Sequence, residues 1–189
     1  MTRLWLVRHG PTHAKAMVGW TDIPADLSDT AAISRLRAFL PAAPVVSSDL
    51  IRATATADAL TPERRLPHAR DLREINFGDW EMRTFSEVEA EDPKTLRAYW
   101  ETPGTIAPPN GESWNAVMAR VDKAINGYLQ EGYTDLIIVA HFGVILTQVQ
   151  RALGIGAYEA FGHKIDNLSA TVLSCNASGW TAERINHKP

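Results

Sequence analysis

Three short apolar runs in this sequence each end on residues suited to holding an oxyanion. Leu4–Val7 leads into Arg8-His9-Gly10, Val45-Val46 leads into Ser47-Ser48 with Arg52 one helical turn further on, and Leu136–Ala140 leads into His141-Phe142-Gly143. An arginine guanidinium is a planar fork of donors that matches phosphate oxygens and keeps its charge at neutral pH. An imidazole titrates near pH 6.5, so one ring can be neutral and nucleophilic while a neighbour is protonated and donates. Gly10 and Gly143 give the backbone room to approach a ligand. Thr12, Lys15 and Phe142 complete the set of candidate binding residues. Such a set suits phosphoryl transfer through a covalent phosphohistidine, which divides one very slow step into two easier ones.

The transfer also needs a proton for the departing oxygen, and a carboxylic acid in a covered site is a usual donor. The segment Leu72-Arg73-Glu74-Ile75-Asn76-Phe77-Gly78-Asp79-Trp80-Glu81 holds three candidates. Glu74 precedes the aromatic-rich stretch, where exclusion of water would raise its pKa. Asp79 and Glu81 remain rivals on chemistry alone.

The elements that must position these groups can be read from periodicity and punctuation. Leu4–Val7, Val45-Val46 and Leu136–Ala140 read as short buried strands. Residues 11–27 read as a loop. A helix is expected over residues 31–40, capped by Ser28 or Asp29, and another through Ala59-Leu60, capped by Ser48 or Asp49. Leu72–Phe77 suggests an extended stretch, and residues 84–100 are patterned as helix interrupted by Pro93. The Pro-rich stretch from Thr102 to Gly111 must be a loop. Trp114, Val117, Met118, Val121, Ile125, Tyr128 and Leu129 form one apolar helical stripe, and a further helix follows Gly143. Residues 169–175 and 180–185 read as a final strand pair around Ser178-Gly179. Strands alternating with helices predict an α/β three-layer sandwich with a mostly parallel sheet. In such sheets ligands collect at the carboxyl ends of strands, which places the two arginines and two histidines on one rim. The whole span 1–189 reads as a single domain, with an excursion over residues 72–112 as a small helical and loop cap.

Composition narrows the partners. The 19 basic and 22 acidic residues give a net charge of −3 with no long run of one sign, which argues against nucleic acid or an anionic membrane. No apolar segment approaches the roughly 20 residues of a membrane span, and the first apolar run is too short for a signal-peptide core. A cytoplasmic location follows as the default. Cys175 is the sole cysteine, so no internal disulfide is expected, and its setting reads as that of a small buried residue. No cysteine cluster or HExxH pattern suggests a metal, and no cofactor is expected. The partner is a small phosphorylated substrate; a homodimer is compatible with the sequence. His13, His68, His163 and His187 lack comparable context, although His13 is near enough in sequence to stand at the pocket mouth.

Leu6-Val7-Arg8-His9-Gly10 resembles the Arg-His-Gly signature of the histidine phosphatase superfamily, whose fold is phosphoglycerate-mutase-like. The resemblance extends over nearly the whole chain. Residues 47–57 are similar to its second phosphate-binding segment and imply that Arg52 joins the pocket. Ala140-His141-Phe142-Gly143 resembles its second catalytic-histidine motif. Glu74 falls where the family places its proton donor, four residues before Gly78. Within the superfamily, Arg3-Leu4-Trp5-Leu6, Phe77-Gly78-Asp79-Trp80-Glu81-Met82-Arg83 and Pro109-Asn110-Gly111-Glu112-Ser113 are most similar to the α-ribazole phosphatases. Pro11 and Lys15 depart from the family pattern, which commonly has a polar residue and a phosphate-contacting asparagine there. Lys15 is therefore read either as a replacement phosphate contact or as a solvated side chain.

The resemblance implies a metal-independent phosphomonoesterase. A mutase is the alternative; its family representatives are longer and carry extra arginines for a carboxylate. An idle phospho-ligand binding module is the third reading, but His9, Arg8, Arg52, Glu74 and His141 are all in place.

Overall fold

A computed structural model describes residues 1–189. Five strands form one sheet in the order β2-β3-β1-β4-β5, where β1 is Thr2–Arg8, β2 Val45–Ser47, β3 Asp135–Ala140, β4 Ala170–Asn176 and β5 Gly179–His187. β2, β3 and β1 run parallel, as the three apolar runs suggested. The C-terminal hairpin adds β4 antiparallel to β1 and β5 antiparallel to β4, so the complete sheet is mixed.

Helices cover both faces. α1 (Thr30–Phe39) and α2 (Ile51–Ala59) lie on one side, where Ile33, Leu36, Ala53 and Ala57 meet Val7, Val45, Ile137 and Val139 in one apolar cluster. The larger cluster holds the alternate strand residues Leu4, Leu6, Leu136 and Ile138. It joins them to α5 (Trp114–Gln130) and α6 (Phe142–Leu153), following the period-two alternation of strand side chains. Its α5 members Trp114, Val117, Val121 and Ile125 are buried, and they belong to the stripe read from the sequence. The short α7 (Ala157–Ala160) leads toward β4.

The excursion contains α3 (Phe85–Glu91) and α4 (Pro93–Glu101). Pro93 divides them because it occupies the first turn of α4, where a missing N–H costs nothing, and the Asp92 side chain caps that turn through Thr95 N. Leu72, Ile75, Phe77, Trp80, Val88, Leu96 and Tyr99 all enter the larger core. The excursion is thus fastened by apolar burial.

Three local expectations are corrected. Neither Ser48 nor Asp49 caps α2 through its first N–H; that Ile51 N–H donates to Asp22 at 2.7 Å, while Asp49 is occupied by Arg73. Leu72–Phe77 joins no strand, since it opens on a single 3-10 turn (Arg70–Leu72) and its later backbone polar groups are taken by side chains. Cys175 is half-buried near the end of β4 rather than fully enclosed. No helix is long and apolar enough to cross a membrane.

Candidate active site

Strand register builds the rim. Arg8 pairs with Ala140 across β1 and β3, so the next residues, His9 and His141, leave the sheet side by side, and His9 N–H donates to Ala140 O at 3.1 Å. Ser47 pairs with Val139, which brings Ser48 level with the end of β3. The two imidazoles lie with ring centroids 5.0 Å apart. His9 is 6% exposed, Arg52 1%, Glu74 7% and His141 0%, so these candidate groups form a buried cluster.

Each ring has a defined hydrogen-bond partner. His9 Nδ1 lies 2.6 Å from Gly10 O, an acceptor only, so Nδ1 carries the proton and Nε2 keeps its lone pair. Burial, followed by the charges of Arg52 and Arg8, outweighs that bond and holds the His9 pKa down at about 3, so the ring is neutral. His141 Nε2 lies 2.6 Å from Ser48 Oγ, while its Nδ1 is buried without a partner. Burial again leads in pushing the His141 pKa well down, joined by His9, Arg52, Arg120 and Arg8.

The cations are braced by carbonyls. Arg8 donates to Ile165 O at 2.6 Å, stands over the Phe142 ring at 5.3 Å, and keeps a buried, unpartnered Nε. Arg52 donates to Thr21 O at 2.9 Å and to Gly19 O at 2.5 Å. Gly10 N–H donates to Thr56 Oγ1 at 3.0 Å, and the Thr56 hydroxyl donates to Arg52 O at 2.7 Å, tying the first strand end to α2. A Cβ on Gly10 would come within 2.6 Å of the Leu27 side-chain tip and 3.1 Å of Asp26 O, so a larger residue there would push Leu27 aside. Two buried polar atoms without partners in one cluster call for an explanation, and a ligand oxygen is the simplest.

Glu74 reaches this rim from the excursion. Its carboxyl accepts Gly143 N–H at 3.0 Å (Oε1) and 3.2 Å (Oε2), and Ile75 N–H at 3.0 Å on Oε1. It thereby caps the first turn of α6, whose free N–H groups favour an acceptor. Burial nevertheless raises the Glu74 pKa above the ordinary carboxylate value, against the opposing pull of those two N–H groups, Arg52 and Arg8. A Cβ on Gly143 would lie 2.5 Å from Glu74 Oε1. The rivals are otherwise engaged. Asp79 is exposed and holds Asn110, and Glu81 accepts the Gly19, Trp20 and Thr21 N–H groups, organising the loop whose carbonyls brace Arg52.

The structure therefore brings together Arg8, His9, Gly10, Arg52, Glu74, His141, Phe142 and Gly143. Thr12 is half-buried and without a side-chain hydrogen bond, and Lys15 is exposed and unpaired, outside the buried cluster. His13 is exposed beside Asp26 at 2.8 Å. Sequence reasoning placed Ser48 at a strand end without pairing it with His141, and gave no role to Thr56 or to Asn167, whose side-chain amide donates to His9 O at 2.8 Å. Only the Ser48 position after a strand offered a signal. A cavity of about 370 Å³ lies elsewhere, at the opposite strand ends around Pro44 and Ile137; its charged groups Arg37, Glu63 and Arg64 are exposed and it contains no histidine. Chemistry, not volume, marks the candidate site.

A family model described as "Histidine phosphatase superfamily (branch 1)" matches residues 4–188. The chain belongs to that superfamily. It is 30% identical to an adenosylcobalamin/alpha-ribazole phosphatase of Escherichia coli, over 98% of this chain and 91% of that one. It is 32% identical to a glucosyl-3-phosphoglycerate phosphatase of Mycobacterium tuberculosis, over 91% and 85% respectively. The solved alpha-ribazole phosphatase of Shigella flexneri superimposes with a TM-score of 0.84 at 27% identity, covering 99% of this chain and 97% of that one. The superfamily members similar to this chain thus include phosphatases of small molecules.

Proposed function

We propose that this histidine phosphatase hydrolyses small phosphomonoesters in the cytoplasm through a phosphohistidine formed on His9. The observation that carries the reading is the His9 ring: neutral, with Nδ1 pinned to Gly10 O and Nε2 free, beside two guanidinium groups and a second imidazole. His9 Nε2 attacks phosphorus, the ester P–O bond breaks, and Glu74 delivers its proton to the departing alkoxide. Water then attacks the phosphohistidine while the Glu74 carboxylate takes up its proton. Phosphate leaves and both residues return to their starting states.

Electrostatics supports these roles. Arg8 and Arg52 supply fixed positive charge to the phosphoryl oxygens, which is what a metal would otherwise contribute. Ser48 donating to His141 Nε2 leaves Nδ1–H for another oxygen, and arrival of a phosphate dianion would favour the protonated ring. On Glu74, Oε1 receives both short N–H contacts, so Oε2 is the oxygen suited to carry the proton. Phe142 places its ring face against the Arg8 guanidinium at 5.3 Å. Lys15 and Thr12 belong to the approach of the substrate rather than to the reacting centre.

We take α-ribazole phosphate as the first substrate to test, because the chain aligns almost end to end with phosphatases named for it. Glucosyl-3-phosphoglycerate is the second, on the same ground. A panel of phosphomonoesters containing both should release inorganic phosphate without 2,3-bisphosphoglycerate. Rapid quenching should trap an acid-labile, base-stable phosphate on His9. Turnover with no such adduct would overturn the assignment of the nucleophile, and dependence on the bisphosphate would favour a mutase.

A further inference from the structure

We propose that Glu112 and Arg120 are positioning residues for the general acid: a half-buried ion pair that sets the place of Glu74 without touching substrate. This rests on the assignment of Glu74 as proton donor. The Arg120 guanidinium has five N–H groups, and every one is used. Nε and Nη2 hold the Glu112 carboxylate at 2.7 and 2.8 Å; Nη1 donates to Asp71 O at 2.9 Å and Arg73 O at 2.7 Å; Nη2 also donates to Glu74 O at 2.8 Å. Glu112 in turn accepts Asn76 N–H at 2.9 Å, and its own N–H donates to Asn76 O at 2.8 Å. The pair thus fixes the backbone on both sides of Glu74 and at Glu74 itself. Trp20 adds its indole N–H to the same Glu74 carbonyl at 2.8 Å.

The acid segment has no strand or helix of its own, so these contacts replace the ladder that would otherwise hold it. Arg120 sits on α5, a long helix anchored by its buried stripe, and the fixed point is therefore rigid. Two turns interlock to bring Glu112 into reach. Asp79 N–H donates to Pro109 O at 2.9 Å, and a Cβ on Gly111 would lie 2.6 Å from Asn76 O. The Phe77-Gly78-Asp79 and Pro109-Asn110-Gly111-Glu112 segments are thus two halves of one clasp. Lysine could not reproduce it, since one ammonium cannot span three carbonyls and both carboxylate oxygens.

The experiment compares leaving groups. An alkyl ester such as glycerol phosphate needs the acid, whereas p-nitrophenyl phosphate has a leaving group stable as an anion. Arg120→Lys and Glu112→Gln should lower kcat on the alkyl ester about tenfold or more beyond any loss on p-nitrophenyl phosphate, because a misplaced acid forfeits part of a contribution of roughly 10²–10⁴. Inhibition by vanadate should change less than about threefold, since the phosphate-holding groups are untouched. Equal losses on both esters would overturn the proposal, and so would variants that all fail to fold, because that would make the pair structural only. Glu74→Gln, run in parallel, separates the two ideas. If it shows no leaving-group preference, the acid itself is misassigned; if it does and the pair variants do not, the positioning role alone falls.

Discussion

The rim of the sheet and the segment that carries Glu74 reach the same cluster by different means. At the rim, His9, Ser48 and His141 emerge from three parallel strands whose register is set by backbone hydrogen bonds, so their spacing is a property of the sheet. Glu74 arrives on a stretch without regular structure, held by side chains reaching to its backbone from α5 and from two loops. Repeated backbone pairing tolerates changes in any one side chain. A segment held by a few side chains does not, and a small displacement there moves the Glu74 carboxyl relative to everything the rim has fixed.

The largest expected effect is Glu74→Gln, which removes the proton and keeps the hydrogen-bond shape. It should cost about 10²–10⁴ in kcat on alkyl esters and much less on p-nitrophenyl phosphate. The pH profile should change as well. In the wild type the raised Glu74 pKa means that activity on alkyl esters falls as the pH climbs through that value and the acid is lost, whereas the depressed His9 pKa keeps the nucleophile neutral far into the acid range. The variant should lose the alkaline limb; a retained limb would point to another acid.

Gly143→Ala tests the junction of the two regions. Its Cβ would stand 2.5 Å from Glu74 Oε1 and 2.9 Å from Ile75, so the carboxyl must shift off α6. Steady-state kinetics should show kcat down roughly 10–100-fold with the melting temperature much less affected. Wild-type kcat would mean that the rim does not locate the acid.

His9→Asn probes the rim through stability. The folded value of about 3 lies below the ordinary 6.5, so the unfolded chain binds a proton that the native state refuses. That makes His9 a liability which grows as the pH falls from about 6.5 toward 3. Removing it should leave acid unfolding shallower, by on the order of 2 kcal/mol near pH 5 in denaturant titrations. Identical acid curves would deny the burial of a neutral ring. The smallest effect is expected far from both regions. Asp29→Ala removes the side-chain cap of α1 and should cost ~1 kcal/mol of stability with kcat unchanged. A fall in kcat there would show that α1 communicates with the site.

Much of the rim is legible in the sequence. Short apolar runs ending in charged residues mark buried strands and their carboxyl ends together, which is why Arg8, His9, Arg52 and His141 stood out. The excursion was harder because its order comes from contacts with no sequence period. Leu72–Phe77 reads as extended, yet Arg120, Glu112 and Glu81 take its polar groups instead of a neighbouring strand. Ser48 reads as a helix cap, but its hydroxyl meets His141, 93 residues away. Asp79, Glu81 and Glu74 are equal as carboxyl groups, and burial and their hydrogen-bond partners separate them.

The chain's own pattern determined which residues end strands, which faces turn inward and which side chains can bind a tetrahedral anion, because alternation and helical spacing are local consequences of backbone geometry. Tertiary structure alone decided the protonation of His9, the burial of Glu74 against α6 and the unpartnered nitrogen of His141. Those depend on desolvation and on partners distant in sequence, and water withdrawn by the folded whole is not a quantity any local stretch of residues carries.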